Sequence, residues 1–260
     1  MNKPKIIIFA SGTKEGGGSG FENLVIKSKT IPSPEKYPNE AILNAEIVAV
    51  VSNHEHGGVR KKADSLGIKF IHFDKDFTAE NYQKIVKDTG AEWIILSGWL
   101  KKVAGLPVDK TININPGPLP EVGGKGMYGI NVHKRVLDDW RGGISYSDCP
   151  VGHSQVTLHF VDENFDTGKI LYKRNVKLPP LFDLTAETIQ HEVNAKEQLI
   201  QPYVTDLVIQ GNITLLNNEV KIDFRVAMYT LMLGVLEKNQ ISKEDFDLNF
   251  IETRITQNKK

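Results

Sequence analysis

Three clusters of residues in this chain have the types and spacing to do chemistry. The stretch Thr111–Gly117 reads "TININPG", a β-branched run that ends in two asparagines one residue apart, followed at once by proline and glycine. Asn113 and Asn115 share strand parity, so both side chains leave the same face of the strand end. Asparagine has low strand propensity, and a buried amide needs partners. Two at once in a central strand would be a costly way to fill a core, which points to a functional site, although either residue could also close an Asx-turn that ends the strand. The second cluster is "ASGTKEGGGSGF", Ala10–Phe21, a glycine-rich loop opening a helix. Exposed N–H groups and the positive helix end make Gly18, Ser19 and Gly20 a candidate anion cradle. The spacing is neither GxGxxG nor GxxxxGK[ST], which argues against dinucleotide and P-loop readings. A glycine turn needed for tight packing is the alternative. The third cluster, "DENFDTGK" (Asp162–Lys169), is an acidic turn that by itself reads as a solvated hairpin loop.

The bulk numbers narrow the class. Of 260 residues, 40% are hydrophobic and 25% charged, which is globular composition with enough length for a sizeable core. Lys+Arg and Asp+Glu both count 32, so the formal net charge is zero, against the basic excess of a general nucleic-acid or anionic-membrane binder. The lone Cys149 excludes an intramolecular disulfide and precedes a proline in a polar loop with nothing nearby to activate it. No HExxH, CxxC or EF-hand spacing occurs, so no metal is expected. The opening "MNKPKIIIFASG" has too short an apolar run for a signal core or a membrane span. The expectation is a reduced, cytoplasmic protein with no membrane partner.

Stepping outward, five short apolar runs read as strands: Lys5–Ala10, Glu46–Ser52, Ile68–Phe73, Glu92–Gly98 and Lys110–Asn115. Three are nearly continuous Val, Ile, Leu and Ala, the pattern of parallel strands buried on both faces. Helical spacing lies between them at Gly20–Lys29, Gly58–Leu66 and Thr78–Thr89, the last opened by Thr78 with Glu80 just inside. This alternation predicts an α/β fold: an open, doubly wound, mostly parallel sheet with helices on both faces. After Gly129 comes a helix, "INVHKRVLDDW", then a hairpin from "QVTLHFVD" and "KILYKRNVKL" that would extend the sheet. Its first strand alternates Val156, Leu158 and Phe160 with Gln155, Thr157 and His159, and reads as half-buried. Thr185–Gly211 is the strongest amphipathic helix, capped by Thr185, closed by Gly211 and kinked or split at Pro202. Asn217-Asn218 predicts a type I′ hairpin, and Phe224–Glu237 and Ser242–Phe250 two short added helices. The division expected is a domain over 1–222 and a helical C-terminal extension over 223–260. Ligands of such sheets bind beyond the carboxyl ends of the strands, where strand order reverses.

Taken together, "GGGSG", "NINPGPLP" and "LHFVDENFDTG" resemble, in order, the motifs of the formyltransferase family that uses 10-formyltetrahydrofolate, above all its branch acting on glycinamide ribonucleotide in purine synthesis. The resemblance spans roughly residues 5–222, and "GGKGMYG" is similar to a loop insertion of one bacterial branch. It implies transfer of a formyl group from a reduced folate co-substrate to an amine. It also implies roles: Asn113 and Asp166 in catalysis, and Gly18, Ser19 and Gly20 on the substrate phosphate. Leu100, Lys101 and Val103 would line the folate pocket, and Glu197 would meet the amine. The partners implied are small molecules, with no nucleic acid; a homodimer stays open.

Asn115 departs from the family pattern, because it stands where the family carries its catalytic histidine. Asparagine donates and accepts hydrogen bonds but does not titrate. Losing a general acid/base typically costs about 10²–10⁴ in rate, so slowed turnover is expected unless water or another histidine moves the proton. His133, His153 and His159 are the candidates, with His159 matching a family position that reads more readily as a sheet residue than as a catalyst. Another amine acceptor such as a sugar nucleotide, or a binding protein without turnover, are the alternatives. Lys125, in the glycine loop after the asparagine strand, could reach the substrate phosphate or the folate tail.

Overall fold

The structure is a computed structural model, and it describes residues 2–29 and 42–223. The five expected strands form β1 (Lys5–Phe9), β2 (Glu46–Ser52), β3 (Phe70–His72), β4 (Trp93–Leu96) and β5 (Thr111–Asn115). The hairpin strands are β6 (His153–Phe160) and β7 (Ile170–Lys177). They make a seven-stranded sheet in the order β3-β2-β1-β4-β5-β6-β7. Pairing is parallel through β5 and antiparallel for β6 and β7. Strand order therefore reverses between β1 and β4, beside the ends of the glycine loop and of β5.

Burial of both sheet faces explains the continuous apolar strands. On β1, Ile6 and Ile8 belong to the larger core, and Ile7 and Phe9 to a second core on the opposite face. The helices α1 (Ser19–Lys29), α2 (Gly58–Leu66), α4 (Ile130–Arg141) and α5 (Ala186–Ile209) feed the larger core. The helix α3 (Ala79–Thr89) closes the second through Tyr82, Ile85 and Val86. Caps form where the residue types predict them. The Thr78 hydroxyl accepts from Asn81 N at 3.4 Å, and that of Thr185 from Thr188 N at 3.1 Å. Exchanging such a cap for alanine typically costs about 1 kcal/mol.

Three expectations are corrected. The run Ile68–Phe73 pairs only over Phe70–His72, since β3 is an edge strand with one neighbour. Helix α5 continues through Pro202 without splitting, and Gly211 closes it as expected, at φ +80°, with its N–H on Val208 O and that of Asn212 on Leu207 O. The proline follows the acidic and amide residues of the first turns and is itself buried, so tertiary packing offsets its missing hydrogen bond. Third, β6 is not half-buried: Ser154–Phe160 are buried throughout, because its polar residues lie beneath the loop that follows β5. Cys149 is buried within its polar loop, which pushes its thiol up to about 12, in keeping with the absence of an activating group. The I′ hairpin does form, between β8 (Ile213–Leu216) and β9 (Glu219–Ile222), with positive φ at both Asn217 and Asn218. The two added helices and the 223–260 extension lie almost wholly outside the described residues. Among those residues no helix is long and apolar enough to cross a membrane.

Candidate active site

The loops after β1, β4 and β5, the β6–β7 turn and one face of α5 line a single cleft of about 800 Å³. Its floor is the reversal point. Ser11 N donates to Gly98 O at 3.0 Å, and the Ser11 hydroxyl accepts from Leu100 N at 2.9 Å, tying the loop after β1 to the one after β4. Gly18, Ser19 and Gly20 border this cleft at the start of α1. Gly18 has φ +79°, a region open to glycine. At Gly20 an added Cβ would lie 2.2 Å from the Ser97 hydroxyl and 3.3 Å from Gln201 Oε1, so a side chain there would close the cradle. The packing reason for these glycines is therefore present, at positions that border the cleft.

Leu100, Lys101 and Val103 line the opposite wall. The segment is anchored from below: Trp99 Nε1–H donates to the Tyr82 hydroxyl at 3.0 Å, which donates to Lys102 O at 3.0 Å. Tyr82 is buried in a cluster with Phe9, Phe73, Phe77 and Trp99, and this burial pushes its phenol up to about 12. The Lys101 ammonium sits 5.7 Å from the centre of the Phe77 ring.

At the centre, Asn113 and Asn115 leave β5 toward Asp166. The Asn115 side-chain oxygen accepts from Gly117 N at 2.9 Å, closing an Asx-turn, which directs its amide N–H₂ to Asp166. Structural and site readings of this residue thus hold together in one side chain that is 4% exposed. Asn113 is paired across the sheet with His159, and its Nδ2 lies 3.1 Å from His159 Nε2. The other ring nitrogen, Nδ1, lies 2.8 Å from Phe160 O. A carbonyl can only accept, so Nδ1 carries the proton and Nε2 presents its lone pair to the Asn113 amide.

Asp166 is not the solvated turn residue its neighbours suggest. Its side chain is 12% exposed and its backbone sits at φ +57°. One oxygen accepts from Gly124 N at 2.9 Å, and the other is 3.5 Å from His159 Nε2. Burial raises its carboxyl, but the His159 ring, the Gly124 N–H and the Asn115 amide outweigh this and hold it below the ordinary value. Lys125 follows Gly124 and faces the cleft. His133 is not brought here: it is 1% exposed on α4, its Nδ1 lacks a partner, and burial drives it down to about 4. His153 also lies outside the cleft, at the far end of β6.

The far wall is α5, which presents Gln190, Asn194, Glu197, Gln198 and Gln201. Their spacing is that of one helical face. Of this stripe of amides with one carboxyl, only Glu197 was expected at the site, and the four amides were missed. Burial pushes the Glu197 carboxyl up to about 8, although part of the residue still opens to the cleft. Among the described residues, no group of three or more His, Cys, Asp or Glu could hold a metal ion.

The family pattern described as "Formyl transferase" matches residues 5–205, the span that supplies every group named above. The chain belongs to the formyl transferase family. Within that family it is 30% identical over 190 residues to the chloroplastic phosphoribosylglycinamide formyltransferase of Arabidopsis thaliana, covering 68% of this chain and 56% of that protein. It is 29% identical over 226 residues to the Vigna unguiculata protein of the same name, covering 82% and 63%. The chain thus spans less than two thirds of the length of either plant relative. Glycinamide ribonucleotide transformylase 1 from Symbiobacterium toebii superposes with a TM-score of 0.67 over 85% of this chain and 94% of that one. At 19% identity the likeness is one of fold. The formyltransferase cleft described here accordingly sits on the fold that the three motifs implied.

Proposed function

We propose that this formyltransferase moves a formyl group from 10-formyltetrahydrofolate to the amine of glycinamide ribonucleotide, a step of purine biosynthesis. The observation that carries the reading is the convergence of an anion cradle, an amide donor and a held carboxylate in one cleft. Names shared by the plant relatives support the choice of amine.

The residues divide the work by position. Gly18, Ser19 and Gly20 receive the ribonucleotide phosphate on backbone N–H groups at the start of α1. Leu100, Lys101 and Val103 receive the folate on the wall braced by Tyr82. Glu197, uncomfortable as a buried anion, regains its charge on meeting a cationic amine. The ammonium returns one proton to Glu197, the neutral amine attacks the formyl carbon, a carbon–nitrogen bond forms, and the carbonyl electrons move to oxygen. Asn113 has one amide proton directed to His159 and a second available to that oxyanion, a contact typically worth about 10²–10³ in rate. Asp166, kept ionised, accepts the proton shed by the attacking nitrogen, directly or through water. The proton then passes to the folate nitrogen as its bond to the formyl carbon breaks. Every group named comes from one chain, so a second copy is not needed to complete the cleft.

The test mixes purified protein with 10-formyltetrahydrofolate and glycinamide ribonucleotide and follows loss of the formyl donor spectroscopically. Turnover that depends on both substrates supports the reading. Folate binding with no turnover on this amine, but turnover on an amino sugar nucleotide, would reassign the acceptor.

A further inference from the structure

With Asn115 unable to titrate, the imidazole that faces Asp166 comes from a different strand. We propose that His159 takes over the proton-holding role: the proton leaving the amine is shared between Asp166 and His159 Nε2 before it reaches the leaving folate nitrogen. The inference rests on the formyl-transfer reading of the cleft and adds the group that moves its proton.

The geometry supports this on three counts. His159 Nε2 is at once 3.1 Å from the Asn113 amide and 3.5 Å from the Asp166 carboxylate. Its Nδ1–H is committed to Phe160 O, so Nε2 is the basic nitrogen and is aimed into the network. Nε2 is close enough to a carboxylate oxygen that a proton on it makes a charge-assisted hydrogen bond to Asp166. Third, the ring is 2% exposed, and the strand that carries it is paired on both sides. Other charged groups face the cleft: Asp162 in the same turn, Lys101 and Lys102 after β4, Lys125 in the glycine loop and Glu197 on α5. Among the described residues none but Asp166 forms an ion pair with His159.

The proton balance closes within the site. The attacking nitrogen loses one proton as its bond to carbon forms. Asp166 and His159 hold it, and the folate nitrogen gains it as the second carbon–nitrogen bond breaks. In the proton-bearing state Nε2 donates to Asp166, which releases the Asn113 amide hydrogen it previously received and leaves both amide protons free for the oxyanion. Proton holding and oxyanion stabilisation are thereby linked through one nitrogen. His159 acts through Asp166 and Asn113 rather than on the substrate.

The test is a cycle of Asn115→His, His159→Gln and the double variant, with kcat and KM measured from pH 5 to 9 and folate binding as the check on folding. In the wild-type background His159→Gln is expected to lower kcat by about 10²–10³, to leave KM within a few-fold, and to change how kcat depends on pH. In the Asn115→His background the same substitution is expected to cost under about tenfold, since an imidazole at 115 restores the relay. Equal losses in both backgrounds, with an unchanged pH profile, would mean a structural role and overturn the proposal. Wild-type turnover unaffected by His159→Gln would sink this inference and leave the formyl-transfer reading standing. A wild type that turns over on no amine would sink both.

Discussion

At the scale of single residues, the cleft is governed by where protons and amide hydrogens are held. Asn115 illustrates the limit of reading residue type alone. Its oxygen ends the strand and its nitrogen serves Asp166, so neither description excludes the other. Glu197 carries the clearest consequence. A carboxyl raised to about 8 is protonated near neutral pH and must lose that proton on pairing with an ammonium group. Titration calorimetry of glycinamide ribonucleotide near pH 7 in buffers of different ionisation enthalpy should therefore register proton release. Glu197→Gln should abolish that release and weaken binding; release unchanged in the variant would assign it elsewhere.

At the scale of elements, the sequence made the parallel strands plain and the site walls obscure. Runs such as Ile6–Ile8 or Val48–Val51 are apolar on both parities, and only a strand covered on two faces accounts for that. The turn carrying Asp166 looked solvated because its burial comes from Gly124, forty-two positions away, and no local pattern encodes that contact. His159 was visible as one member of an alternating strand, yet its alternation partners Gln155 and Thr157 are buried under the loop after β5, where Thr157 donates to Gly117 O at 2.9 Å. A periodicity of two distinguishes faces, not which of them meets water. The segment after β4 depends on α3 in the same way. Tyr82→Phe deletes a hydroxyl that joins Trp99 to Lys102, with an expected loss of about 1–2 kcal/mol in urea unfolding. If the anchor shapes the folate wall, the KM for the formyl donor rises several-fold while that for the ribonucleotide stays put. A shift in both would instead indicate a general loosening.

For the whole molecule, the network around Asp166 joins three otherwise separate parts: the strand pair β5–β6, the glycine loop and the hairpin turn. Its carboxyl is held below the ordinary value in the folded chain, so the unfolded chain takes up a proton first as pH falls. The resulting stabilisation is complete above the ordinary carboxylate value and disappears as pH drops through the depressed one. Thermal unfolding below about pH 4 should thus become more acid-sensitive in the wild type than in Asp166→Asn, which begins less stable but has less to lose. Identical acid slopes in the two proteins would dissociate Asp166 from the folded-state network.

The pairing of Asn113 with His159 across β5 and β6 has one further consequence. Their separation is set by the ladder between two strands rather than by a loop, and on the other edge of β6 the register with β7 shifts between Leu158 and His159. The sheet therefore serves as a ruler with a one-residue graduation. A slip of one position would present Leu158 or Phe160 to Asn113, and no side-chain rotation could make good the loss. Loops around such a ruler are free to lengthen, shrink or change their residues. The spacing between donor and base is inherited from the backbone.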